Sequence, residues 1–378
     1  MKNLSEEQKL IRDTVRDFVQ DRIAPFAAEW DKNDYFPAQE LQQMGALGLF
    51  GITIPETWGG SGADTVSFAL VIEEVAAGDG ACSTILSVNN TVVCGSLLGF
   101  GSETLKQTYL KPLASGTQLG CFCLTEPQAG SDAAALRTRA QKQNDRYVLN
   151  GTKSFVTSGA NADVAIVFAV TDPDAGKKGI SAFVVPTDNP GYQVGGVEQK
   201  MGQHASDTAQ IFFRDCSIPA DHLLGEEGEG YKIALMNLES GRIGIGAQCV
   251  GMARAAFECA LDYAHERVTF GKPIIEHQAV AFRLADMATQ LEAARLMVLN
   301  AASLRDAGEP CLKQASMAKL FASEAAEKIA SSAIQVLGGY GYLRDFPVER
   351  IARDVRVCQI YEGSSDIQRI VIARELGK

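Results

Sequence analysis

The sequence is poor in the residues and patterns from which metal sites are built. Its 378 residues include only four histidines, with no HExxH pattern and no His/Cys cluster. The nine cysteines are scattered and form no CxxC pair, and their odd number argues against a closed set of disulfides. We therefore expect no metal site, and we expect free thiols in apolar surroundings, as is usual in a reducing compartment.

Positive charge and long apolar runs are also scarce. Lys and Arg total 35 against 46 Asp and Glu, a net charge of −11 that disfavours nucleic-acid binding but leaves room for a local basic pocket. Apolar runs such as Val164–Val170 are much shorter than the roughly 20 residues of a membrane-spanning helix. Lys2, Glu6 and Lys9 interrupt any signal-peptide core. The sequence predicts a soluble, cytoplasmic protein with no membrane span.

The usual nucleotide-binding and hydrolase motifs are missing. There is no GxxxxGK phosphate loop, no GxSxG nucleophile motif and no GxGxxG after a strand. Gly244-Ile245-Gly246 lies within a helical stretch and is interpreted as a packing feature. Because the strand–helix alternation of a dinucleotide-binding fold is also missing, any nucleotide cofactor has to be bound in another way.

Three regions of different composition predict an α+β multidomain protein. Residues 1–118 have a mostly helical pattern, with a capping box at Ser5 and Gln8. Residues 119–228 contain short β-rich runs separated by turn signals, which predict a small barrel or sandwich. Residues 229–378 are rich in helix-forming residues and predict an antiparallel bundle.

Local signals predict individual elements within these regions. Asn150-Gly151 in the middle region is typical of a hairpin turn. In the last region, long helical segments are predicted at 231–266, 276–306 and 311–337.

The stretch 360–368 combines a carboxylate with the start of a helix. Ser365 and Gln368 have capping-box spacing, and the free N–H groups at such a helix start favour an anion. Glu362 precedes the helix in a turn that Gly363 makes flexible. It is either a solvated residue beside an ordinary cap or a base whose pKa is tuned by burial.

Two stretches of the middle region combine hydroxyls with small or aromatic residues. The loop 124–132 ends a strand, and it is either an ordinary turn or a cradle for a flat polar ring or a phosphate. In the stretch 150–159, Phe155 and Thr157 point to the same face of a strand. They either pack across strands or cover a planar ring and hydrogen-bond its edge.

Two further stretches lie at helix ends in the last region. In 267–274 one long helix gives way to the next, and Arg267 either complements the helix dipole or holds a pyrophosphate. In 335–342 three glycines at a helix end either stop the helix or allow the backbone to approach a ligand closely.

In this order and spacing, these stretches resemble the acyl-CoA dehydrogenase family over essentially the whole chain, together with Met201-Gly202 and Ser206-Asp207-Thr208. The resemblance implies an α-helical domain, a central β-barrel and a C-terminal four-helix bundle. It also implies an FAD-dependent homotetramer that forms a trans-2-enoyl-CoA from an acyl-CoA and passes electrons to electron-transfer flavoprotein. Such enzymes act in fatty acid or branched-chain amino acid catabolism, in the bacterial cytoplasm or the mitochondrial matrix.

The resemblance also implies roles for individual residues. Glu362 matches the base that removes the α-proton while the β-hydrogen leaves as a hydride to flavin N5. The positions that match cofactor-binding residues are Phe122, Cys123, Leu124, Thr125, Ser131, Phe155, Val156, Thr157, Arg267, Thr269, Gln278, Gln335, Leu337, Gly338, Gly339, Ser364 and Asp366. Of these, the residues from Arg267 to Gly339 resemble the part of the family fold that binds the FAD of a neighbouring subunit. The positions that match substrate-binding residues are Ser131, Glu239, Arg242, Tyr361 and Gly363.

Three departures from the family pattern bear on the site. Phe155 stands where many members have Trp, so the shielding of the flavin differs. Ser364 replaces a frequent Thr but keeps the hydroxyl. Some members place the base directly before the position of Arg242, where this chain has Gly241, and this favours Glu362 as the base.

The substrate and two alternative functions remain open at this point. The stretches 87–90 and 239–242 are most similar to short-chain and short branched-chain members. An acyl-CoA oxidase or a related flavoenzyme would pass the electrons to oxygen. A non-catalytic helical scaffold that kept the fold would be colourless after reconstitution with FAD.

Overall fold

The N-terminal region is helical in the computed structural model, which describes residues 4–377. Helix α1 (Glu6–Arg22) begins with the predicted capping box, because Ser5 Oγ accepts a hydrogen bond from Gln8 N and Gln8 Oε1 accepts one from Ser5 N. The other helices of this region are α2 (Ala27–Asn33), α3 (Ala38–Ala46), α4 (Thr65–Gly78), α5 (Gly80–Val88), α6 (Gly95–Phe100), α7 (Glu103–Leu105) and α8 (Lys111–Ala114).

A π-helical segment, Asn89–Cys94, joins α5 and α6 into one continuous helix. This helix, Gly80–Phe100, has 21 residues and is long and apolar enough to cross a membrane by length and composition alone. However, 89% of its most apolar stretch is buried inside the protein, as is normal for a core helix. The sequence predicts a mostly helical region here but no separate long helix, because Ser, Thr and Asn residues interrupt its apolar runs.

The middle region forms one eight-stranded sheet, which confirms the predicted β-rich domain between two helical ones. Its strands are β1 (Gly120–Cys123), β2 (Arg139–Gln143), β3 (Arg146–Thr157), β4 (Val164–Val170), β5 (Ile180–Pro186), β6 (Tyr192–Val197), β7 (Thr208–Pro219) and β8 (Leu223–Leu224). The order is β6-β7-β3-β2-β4-β5-β8, and β1 pairs in parallel with β4. Strands β2 and β6 were not predicted because nearly all of their residues are exposed and lack an apolar alternation.

The predicted hairpin turn at Asn150-Gly151 is wrong. Both residues lie inside β3, at a bulge where the pairing with β7 shifts register between Leu149 and Gly151. The reversal between β2 and β3 is made instead by Asn144, which has a φ of 56°, and Asp145. Asn-Gly suits a bulge as well as a turn, because both need unusual backbone angles.

The C-terminal region is the predicted helical bundle. Its helices are α9 (Gly230–Glu266), α10 (Gln278–Asp306), α11 (Leu312–Leu337), α12 (Val348–Val355) and α13 (Ser365–Leu376), and a short ribbon of β9 (Val268–Thr269) and β10 (Lys272–Pro273) follows α9. Helix α11 packs against α9, α10 and α13. A Cβ added at Gly246 would lie 2.9 Å from Val298 Cγ2 in α10, which confirms that this glycine serves close packing.

Two apolar cores cross the limits between the regions. One includes Ile72 of α4, Met252 of α9 and Val355 of α12, and it joins the N-terminal helices to the bundle. The other includes Val93 of the π-helical segment and Ile166 of β4, and it joins the same helices to the sheet. The three regions therefore pack as one body, although the division at residues 118 and 228 stays a prediction.

Candidate active site

Glu362 lies in a tight turn between the last two helices of the bundle. Its φ is +50° and that of Gly363 is +90°, so two consecutive residues adopt the left-handed conformation. The side chain is half-buried, and its Oε2 is shielded from solvent without a hydrogen-bond partner in the described part of the chain. A buried carboxylate oxygen without a donor can accept a proton from a ligand.

The helix start after this turn differs from the prediction. The N-cap of α13 is Ser364, whose Oγ accepts a hydrogen bond from Ile367 N at 3.4 Å, and not Ser365. Gln368 does not complete a capping box. Its Nε2 instead donates to the carbonyl oxygens of Glu362 at 3.1 Å and Gly363 at 2.8 Å, and so holds the turn.

Helix α9 passes so close to the turn that only glycine fits at position 241. A Cβ added at Gly241 would overlap Glu362 Oε2 and lie 2.7 Å from its Cδ. The carboxylate therefore occupies the space that a side chain at 241 would need. The sequence favours Glu362 because Gly241 carries no carboxylate, and the close contact shows that position 241 has no room for a side chain beside Glu362.

Burial and nearby cations set the ionisation of Glu362. Burial raises its pKa to about 7, although the positive charges of Lys319 and Arg242 partly oppose this rise. Arg242 is itself 6% exposed, and its Nε has no hydrogen-bond partner among residues 4–377. A carboxylate with a pKa near neutrality is suited to take up a proton reversibly.

Tyr361, predicted to bind substrate, has a hydroxyl group that points into the protein. It donates a hydrogen bond to Gln248 Oε1 at 2.5 Å and lies 3.4 Å from Thr84 Oγ1. Gln248 Nε2 also donates to Thr84 Oγ1 at 2.6 Å. This network anchors the residue before Glu362, so a substrate contact would have to use the ring or the backbone of Tyr361.

Two predicted cofactor-binding segments meet in the sheet domain. Ser154 N in β3 donates to Thr125 O in the loop after β1 at 2.9 Å. Lys153 Nζ donates to Leu124 O at 3.1 Å and to Glu126 Oε1 at 2.7 Å, and both charged side chains are buried. Burial opposes ionisation of Glu126, but Lys153 and the backbone N–H groups of residues 137 and 138 outweigh it and lower its pKa to about 2.

The Glu126–Lys153 ion pair was not predicted as part of the site. The two residues lie in separate sequence stretches, and only the fold shows that they form a buried pair. The signal in the sequence was the position of each residue beside hydroxyl groups. Glu126 follows Thr125 in the first stretch, and Lys153 lies between Thr152 and Ser154 in the second. The pair fixes the Phe122–Thr125 segment against the strand that carries Phe155 and Thr157.

Phe155 presents an aromatic ring to solvent at this junction. It is 66% exposed and has a φ of +56°, at a second bulge of β3. The following Val156 is buried, whereas Thr157 is half-buried, so Phe155 and Thr157 are both accessible to solvent at least in part. Cys123 is fully buried, so it and Val156 can reach a ligand only through their backbones.

A second group of predicted residues lines an open cleft of about 630 Å³ at the end of the bundle. Arg267, Thr269, Leu337, Gly338 and Gly339 all line it. A Cβ added at either glycine would meet no described atom within 4 Å other than those of its own local backbone, so a ligand can approach the backbone there.

The other predicted members of this group lie outside that lining. Gln278 and Gln335 are both exposed. Within residues 4–377, no hydrogen bond or ring contact joins the cleft to the Phe155 surface.

The remaining predicted residues are exposed or pair with neighbours. Ser131 is exposed, and Asp366 is exposed with a 3.4 Å ion pair to Arg369. Glu239 Oε1 accepts a hydrogen bond from Cys311 Sγ at 3.2 Å.

The asparagines of the stretch 87–90 have a structural role. Asn89 Oδ1 accepts from Gly120 N at 3.0 Å, and Asn90 Oδ1 accepts from Ile52 N at 2.9 Å. Both side chains are buried, and they tie strand β1 and the turn at Ile52 to the continuous helix. Their similarity to short-chain members therefore gives no direct contact with an acyl chain.

The chain belongs to the acyl-CoA dehydrogenase family. Models of its N-terminal, middle and C-terminal domains match residues 5–117, 121–216 and 228–377. An acyl-CoA dehydrogenase of Bacillus subtilis (strain 168) is 50% identical over 374 residues, which cover 99% of both chains. The mitochondrial short-chain specific acyl-CoA dehydrogenase of Homo sapiens is 47% identical over 373 residues, which cover 99% of this chain and 90% of the relative.

Solved structures show the same fold. The butyryl-CoA dehydrogenase from Megasphaera elsdenii has a TM-score of 0.98 and 41% identity, with full coverage of both chains. A chain in a structure of the electron transferring flavoprotein of Acidaminococcus fermentans has a TM-score of 0.98 and 44% identity, covering 100% of this chain and 99% of that one. The predicted three-domain fold is thereby confirmed, and the protein is an oxidoreductase of the acyl-CoA dehydrogenase family.

Members of this family are FAD flavoproteins, and the side chains of this chain suit that cofactor. An exposed aromatic ring on a rigid strand beside a hydroxyl offers a surface for a flat polar ring system. Open glycines beside Arg267 offer backbone and guanidinium donors to phosphates. Both features lie at positions that the sequence predicted.

Proposed function

We propose that the protein oxidises a short or short branched-chain acyl-CoA to the trans-2-enoyl-CoA, with Glu362 as the base. The observation that carries this proposal is the shielded, unpartnered Oε2 of Glu362. The α-proton moves to this oxygen, the β-hydrogen leaves with its electron pair, and the Cα–Cβ double bond forms. The names of the short-chain relative and of the butyryl-CoA dehydrogenase support the chain length.

Glu362 suits this step because its surroundings strengthen it as a base. A carboxylate in water is a weak base for the α-carbon of a thioester, whereas a pKa of about 7 improves the match. The carboxylate is held against Gly241 on one side, and the Gln368 bonds fix the turn on the other. The base is therefore positioned before substrate binds.

FAD, when bound, supplies the acceptor for the β-hydride, which no protein side chain can take up. We propose that Thr125, Phe155 and Thr157 hold its ring system. Arg267 and the Gly338-Gly339 backbone would bind its phosphates, together with Ser364 and Asp366.

We further propose electron-transfer flavoprotein as the electron acceptor. The similarity to a chain in a structure of that protein from Acidaminococcus fermentans supports this partner. Reduction of purified electron-transfer flavoprotein by enzyme and acyl-CoA tests it. Rapid consumption of oxygen with acyl-CoA instead would indicate an oxidase.

Anaerobic titration of the yellow protein with acyl-CoAs of different length tests the reaction itself. We expect bleaching of the flavin with short and short branched chains and little bleaching with long ones. The Glu362→Gln variant should bind flavin normally but fail to bleach, whereas Glu309→Gln, at an exposed position of the same domain, should bleach like the parent. Fast bleaching by Glu362→Gln would show that another residue is the base.

We also propose that the protein is a homotetramer in which two subunits complete each FAD site. Phe270, next to the cleft, is 97% exposed, and Tyr342 is 84% exposed. Such a concentration of exposed aromatic rings is typical of an interface. Analytical ultracentrifugation should show four chains per particle. A Phe270→Ser/Tyr342→Ser variant should dissociate and lose FAD, whereas Leu10→Ser, at an exposed position of α1, should do neither.

A cytoplasmic location completes the proposal. The acidic composition and the buried position of the Gly80–Phe100 helix support it. Fractionation of cells should recover the protein without detergent, and recovery only in the membrane fraction would contradict it.

A further inference from the structure

A lysine that the proposed reaction does not use lies inside the C-terminal bundle. Lys319 is in α11, and its side chain is fully buried, with neighbouring buried positions at Ala315 and Ala322. An ammonium group in such surroundings is costly unless it is paired. Its Nζ donates a hydrogen bond of 2.7 Å to the carbonyl oxygen of Gly363, in the turn that carries Glu362. This length is in the range of charge-assisted bonds.

The turn that receives this bond is in a strained conformation. Glu362 has a positive φ, which is unfavourable for any residue with a side chain, and Gly363 extends the same conformation. Two donors meet at the Gly363 carbonyl, Lys319 from α11 and Gln368 from α13. The two helices thereby hold the turn that the local sequence alone would not favour.

Lys319 is also one of two cations that act on the carboxylate. Arg242 of α9 is the other, and the remaining titratable groups near Lys319 are the thiols of Cys249 in α9 and Cys358 before the turn. Burial raises the pKa of Glu362, and Lys319 opposes this more strongly than Arg242 does. Without Lys319, burial would leave the carboxyl protonated at higher pH.

We propose that Lys319 is a positioning residue of the reaction, which fixes the turn through the Gly363 carbonyl and keeps the Glu362 carboxylate ionised through its positive charge. This inference rests on the proposed function, because it takes Glu362 as the base. The two parts of the role can be separated, since Gln368 binds the same carbonyl without contributing a charge.

The test compares Lys319→Met, Gln368→Met and Lys328→Met, the last at an exposed position of the same helix. The rate of anaerobic flavin bleaching by butyryl-CoA is measured from pH 6 to pH 9.5. We expect Lys319→Met to move the midpoint of the profile upward by about one unit or more, with roughly tenfold slower bleaching at pH 7 that recovers at high pH. Gln368→Met should slow bleaching without moving the midpoint, and Lys328→Met should change neither.

Infrared difference spectroscopy gives a second readout that does not depend on turnover. The carboxylic acid band that disappears in Glu362→Gln reports the protonation of Glu362 directly, and in Lys319→Met it should persist to higher pH. If Lys319→Met does not fold, Lys319→Arg, which keeps the charge, should retain the parent midpoint at a lower rate. A shifted midpoint in Lys319→Arg, or an unchanged midpoint and band in Lys319→Met, would overturn the inference.

The outcome is distinguishable from failure of the proposed function. If Glu362→Gln still bleaches, the base is wrong, whatever Lys319→Met does. If Glu362→Gln is inactive and the Lys319→Met profile does not move, only the role of Lys319 is refuted.

Discussion

Replacing Gly241 by alanine should disable the proposed base, Glu362, while leaving the fold intact. The added Cβ would lie 2.7 Å from Glu362 Cδ and overlap Oε2. Ordinary contacts between carbon atoms are about 3.5 Å or longer, so the carboxylate has to retreat by roughly 1 Å. A displacement of that size at a reacting group can cost about 10²-fold in rate. We therefore expect Gly241→Ala to reduce anaerobic flavin bleaching by butyryl-CoA about a hundredfold.

The stability of the variant should change little. Alanine in a helix interior is favoured over glycine by about 1 kcal/mol, and the atoms that Cβ meets belong to the end of a flexible side chain. Gly246→Ala is the matched control, because it lies in the same helix, is equally buried and meets Val298 instead of Glu362.

The result that would refute this reasoning is specific. Gly246→Ala should bleach at nearly the parent rate, and both variants should melt within a few degrees of the parent by circular dichroism. Parent-like bleaching by Gly241→Ala would show that the carboxylate does not react from its position against α9. A large loss of stability in Gly241→Ala alone would show that the helix, and not the side chain, had to move.

Three further expectations concern stability and flavin binding. The pKa of Glu362 is raised from 4.5 to about 7, because burial favours the protonated carboxyl in the folded protein. The stability that the folded protein has from this protonated group is therefore complete below pH 4.5 and is lost as the pH rises to 7. Glu362→Gln should thus be more stable than the parent at pH 8, by up to about 3 kcal/mol in urea denaturation, with the difference vanishing near pH 4. Lys153→Met leaves the Glu126 carboxylate buried without its partner, so we expect the free energy of unfolding to fall by about 3–5 kcal/mol. The double variant Lys153→Met/Glu126→Gln should restore part of this loss. Equal stability of the single and double variants would contradict this expectation. Phe155→Ala removes an exposed ring, so the free energy of unfolding should change by less than about 0.5 kcal/mol. FAD should dissociate more readily from this variant in equilibrium dialysis. An unchanged affinity for FAD would show that Phe155 is not part of the cofactor site.

Local signals predicted the elements that depend on short-range interactions. The capping box at Ser5 and the three long helices of the bundle follow from spacing and composition, and the structure has them within a few residues of the predicted bounds. A local signal failed where the same residue pair is compatible with two different backbone conformations. Asn150-Gly151 suits both a turn and a bulge, and only the pairing of β3 with β7 selects the bulge.

The candidate site shows the same division. The sequence placed Glu362, Phe155 and Arg267 in functional stretches, because the family pattern identifies them by order and spacing. It did not single out Lys153 or Lys319, whose importance depends on buried partners in other elements. A buried charge is recognisable only when the groups around it are known.

The amino-acid sequence by itself therefore determined the family, the order of helical and sheet domains and the residue that carries the carboxylate. Only the tertiary structure decided what that carboxylate can do. The pKa of Glu362 and the direction of its side chain depend on Gly241, Lys319 and Gln368, which three different helices bring together. Electrostatic and steric effects act through space, so residues far apart in the sequence fix the chemistry of this one position.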